Sequence, residues 1–63
     1  MADLTKEQLV YEVKSALDIA SSVRGVLRER YGPGNAMVRV LLSATDYLVD
    51  AIGVMERELG VKD

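Results

Sequence analysis

The chain has 63 residues, 49% of them apolar and 29% charged, with a formal net charge of −2 at pH 7. It contains no cysteine, histidine, tryptophan or phenylalanine, which excludes disulfides, the common zinc sites and a histidine-activated nucleophile. A chain this short buries only about 60% of its unfolded surface and is marginal alone, so association with other chains is the expected remedy.

The acidic balance offers no general attraction to nucleic acid or to an anionic membrane. The longest apolar run, Val40 to Thr45, falls far short of the ~18 residues of a membrane span. Met1-Ala2-Asp3-Leu4 has neither the basic start nor the apolar core of a signal peptide. A cytoplasmic protein is expected.

The first element opens at Thr5-Lys6-Glu7-Gln8, a capping box, with Leu4 and Leu9 at the spacing of a hydrophobic staple. Leu9, Val13, Ala16, Ala20, Val23 and Leu27 then recur at alternating steps of four and three, the seam of an amphipathic helix over about 6–31. Val10, Leu17, Ile19 and Val26 widen the apolar arc to about 200°.

Tyr31-Gly32-Pro33-Gly34-Asn35 breaks the pattern. Gly32 suits the left-handed residue after a helix, Pro33 cannot continue one, and Asn35 can cap the next. A bend over 32–35 is short and makes the flanking helices antiparallel neighbours.

The second helix is expected over about 36–59, ending at Gly60, with Val61, Lys62 and Asp63 fraying beyond it. Met37, Leu41, Ala44, Leu48, Ala51 and Met55 repeat the seam, and Val38, Thr45, Ile52, Leu59, Val40, Tyr47 and Val54 broaden the arc to about 240°. Pairing across the bend should join residues whose numbers sum to about 68, such as Leu27 with Leu41.

A single partner helix covers only about two positions in seven. The surplus predicts an all-α, antiparallel two-helix hairpin that dimerises into a four-helix bundle, with Val38, Leu42, Val49 and Ile52 as candidate interface residues. Residues 24–39 hold four arginines against one acid, net +3, while the remainder carries four bases against nine acids, net −5. Antiparallel docking of two hairpins sets these unlike ends together.

The same charge makes the bend a candidate anion or partner contact, through Arg28, Arg30, Arg39 and Asn35 beside a helix start. Its competing reading is a plain turn whose arginines complement a helix dipole. Tyr11, on the polar side, is either an isolated surface tyrosine or an anchor for a partner. Asp46 and Asp50 stand four apart, but two carboxylates alone make no metal site. Gly25 and Gly53 fall inside helices on the outward side, where glycine either drifts neutrally or admits another backbone.

No catalytic group, cofactor or metal is expected. The sequence points to a homo-oligomeric protein-interaction or assembly module. The alternatives are a nucleic-acid-binding regulator using the basic bend, or a carrier of a small apolar ligand in the bundle core.

Overall fold

The computed structural model describes residues 3–61. Thr5 holds extended backbone; its Oγ1 accepts from the Gln8 N–H at 3.1 Å, and its own N–H donates to Gln8 Oε1 at 2.8 Å. Two orphan donors are thereby satisfied, and α1 runs from there over Lys6–Tyr31. Gly32 ends it with φ +91° and ψ 157°, donating its N–H to the Arg28 carbonyl at 2.9 Å. Positive φ with extended ψ is open essentially to glycine alone, and Pro33 favours the extended ψ in the residue before it.

The Asn35 N–H then closes the turn on the Gly32 carbonyl at 3.2 Å, while Asn35 Oδ1 accepts from the Met37 N–H at 2.8 Å. That cap starts α2, Ala36–Leu59. Gly60 is left-handed, at φ 70° and ψ 28°, and its N–H and that of Val61 both donate back to the Glu56 carbonyl. Val61 is therefore tied down rather than frayed. Lys62 and Asp63 lie outside the described residues.

The two helices pack antiparallel along their length. Val10, Val38, Thr45 and Ile52 are the most buried side chains, between 2% and 8% exposed. The seam is built from Val10, Val13, Leu17, Ala20, Arg24 and Leu27 against Val38, Leu41, Thr45, Leu48, Ile52, Met55 and Leu59, all buried or half-buried. This corrects the expected seam. One row on each helix stays (Val13, Ala20, Leu27; Leu41, Leu48, Met55), but Leu9 and Val23, with Met37 opposite, are exposed. Each helix is turned by about 50°, half the 100° between successive residues.

The physical reason lies in α2. The row Val38, Thr45, Ile52 ends in Leu59 and carries bulky branched side chains; the row Met37, Ala44, Ala51 ends in Glu58. The first fills the space between helices without burying an unpaired carboxylate. The one polar member, Thr45, donates its hydroxyl to the Leu42 carbonyl at 2.9 Å and is satisfied. Val38 and Ile52, expected at an interface between chains, are already buried within the single hairpin.

Lys14 Nζ lies 3.3 Å from Glu56 Oε2, and Leu27 lines one hollow with Leu41, both close to the expected register. The hairpin exposes 4955 Å². A compact monomer of 6.9 kDa exposes about 4,000 Å². The excess of roughly 1,000 Å² is surface that a self-contained domain of this mass would have buried.

Candidate functional site: two unlike flanks of the hairpin

Turning the seam leaves two flanks of opposite chemistry. On one, Lys14 of α1 meets Glu56 of α2, whose Oε2 is buried. Nearer the bend, Arg24 and Arg28 line a shallow cleft with Pro33, Val38 and Leu42. Lys14, Asp18 and Val49 share a second hollow on this side. Leu42 and Val49 are therefore exposed on the charged flank, among basic and acidic groups.

The opposite flank is mainly apolar, with Glu12, Arg30 and Glu58 towards its ends. In an antiparallel pair the two helix edges on one side face each other, so the edges away from Lys14 and Glu56 share a side. There α1 presents Leu9, Glu12, Ala16, Ile19, Val23, Val26 and Arg30, and α2 presents Met37, Val40, Ala44, Tyr47, Ala51, Val54 and Glu58. Each row steps by three and four, the spacing of a second heptad pattern, in which Ala44 and Ala51 are half-buried and the larger apolar side chains are exposed. Ile19, Val40 and Tyr47 are 65%, 67% and 75% exposed. Of thirteen exposed large apolar side chains among the described residues, eight lie here, which makes this a patch rather than a scatter.

The structure separates the candidate anion contacts. Arg28 stands in the cleft with Arg24, a core position that the candidate set did not include. Arg30 ends the apolar row of α1, and Arg39 sits on the outer side of α2 with Val40 and Ser43. Asn35 spends its side-chain oxygen on the cap of α2. The arginines thus share one end of the hairpin but not one surface. Tyr11 is exposed. Among the described residues no three acidic side chains converge as metal ligands, and no helix is long and apolar enough to cross a membrane.

A Cβ built on Gly25 meets nothing within 4 Å. Gly25→Ala should therefore recover the propensity cost of a mid-helix glycine, about 1 kcal/mol, and raise the unfolding midpoint by roughly 4–8 °C. A lower midpoint or a smaller assembly in a thermal melt and sedimentation run would instead mark Gly25 as a contact made by another chain.

Comparison of the chain with family models, with curated proteins and with solved structures returns no match.

Proposed function

We propose that this chain is a protein-assembly module whose hairpin completes its core by associating with another copy of itself. The observation that carries the reading is the roughly 1,000 Å² of surface in excess of a compact monomer, together with the continuous apolar flank that accounts for its chemistry. A standard complex buries about 800 Å² per partner, so one such contact absorbs the excess. The scattered arginines favour this over a nucleic-acid role, which needs a continuous basic surface. A non-catalytic role and a cytoplasmic location belong to the same proposal.

The test is the concentration dependence of unfolding. For a dimer that melts as it dissociates, a tenfold rise in concentration should raise the midpoint by about 5–6 °C, from an unfolding enthalpy of ~0.7 kcal/mol per residue over both copies. Sedimentation at micromolar concentration should give twice the 6.9 kDa chain mass. A monomer with a concentration-independent midpoint would refute the reading.

A further inference from the structure

We infer that the second copy covers the apolar flank with its bend at the far end, α1 stacked on α1 and α2 on α2, and with Arg30 of each copy against Glu12 of the other. This arrangement rests on the assembly reading above and gives it a face and an orientation. The face is bracketed by charge: Glu12 and Glu58 stand near the end that holds the termini, Arg30 near the bend.

Two-fold symmetry allows two ways of closing such a face on itself. With the bends together, α1 lies over α2 of the second copy at equal height, and Glu12 meets Glu58, acid on acid. With the bends apart, Arg30 meets Glu12 twice. Long-range charge agrees, since the net +3 around the bend then lies beside the acidic ends.

The side-chain volumes agree independently. Pairing Arg30 with Glu12 sets Val26 over Ala16 and Ile19 over Val23, and centres the contact on α1 at the height of Ser21. With Leu27 level with Leu41, that height on α2 is Tyr47. Tyr47 then meets its own copy, Val40 meets Val54, and Ala44 and Ala51 make room on either side of the two rings. The charges on α1 and the small residues on α2 are compatible with one and the same axis.

The chain has no cysteine, so single cysteines on this exposed face report the arrangement directly. Tyr47→Cys should form a disulfide-linked dimer on oxidation. Val26→Cys alone should not, but mixed with Ala16→Cys it should link the two. Arg30→Glu should weaken the dimer about tenfold, and Glu12→Arg added to it should restore the loss. Linkage of Val26→Cys to Val40→Cys, or a dimer indifferent to Arg30→Glu, would overturn the orientation while leaving the assembly reading standing. A monomer in sedimentation would overturn both.

Discussion

Ile52→Asp is expected to abolish the fold. Ile52 sits at 8% exposure in the α1–α2 seam, in a hollow it shares with Lys14, whose ammonium is already paired with Glu56 one turn further on. An ionised carboxylate there loses its water and must compete with Glu56 for the one ammonium of Lys14, at several kcal/mol, and the lost isoleucine adds about 2–3 kcal/mol of burial. A small domain has about 5 kcal/mol in all. Circular dichroism should show helicity falling to a minor fraction at any practical concentration. Retention of full helicity would mean that the seam identified around Val38, Thr45 and Ile52 is not the one that holds the hairpin.

Ile19→Asp should act on assembly first. Its side chain is mostly exposed in the hairpin, so it adds no buried charge to one chain alone. Under the proposed contact it would lie over Val23 of the second copy, and each dimer would bury two carboxylates. Dissociation should rise at least a hundredfold, about 2.7 kcal/mol. Leu42→Asp is the matched control. It lies on the charged flank near Arg24 and Arg28 and should leave sedimentation unchanged. If Leu42→Asp dissociates the protein and Ile19→Asp does not, the interface belongs on the charged flank.

The helix ends were legible from sequence because caps are local chemistry. Thr5 with Gln8, Gly32 before Pro33, Asn35 and Gly60 each act through bonds spanning a few residues, and all stand where their signals put them. The facing of the helices was not legible in the same way. Both carry two apolar rows side by side, and periodicity reports the spacing of a row but not which row meets the partner helix. The deciding facts, Leu59 rather than Glu58 at the end of a row and the Lys14–Glu56 pair beside it, depend on α1 and α2 together. The same 50° turn explains the candidate residues. It drew Val38 and Ile52 inward, left Leu42 and Val49 among charges, and brought Arg24 rather than Arg30 beside Arg28. Asn35 was visible both as a cap and as a contact, and its Oδ1 is taken up by the cap.

The bend at Gly32–Pro33 also governs what misassembly is open to the chain. Hairpins whose loops can straighten into helix are prone to domain swapping, in which two rods exchange their halves. Here a continuous rod would place Pro33 in a helix interior, at about 3 kcal/mol, with Gly32 and Gly34 adding about 1 kcal/mol each. In the proposed assembly, copies should therefore associate as whole hairpins and not by trading halves. Separating them then requires no untangling of exchanged helices, and the stretch 32–35 keeps each chain's two helices paired with each other rather than with those of a neighbour.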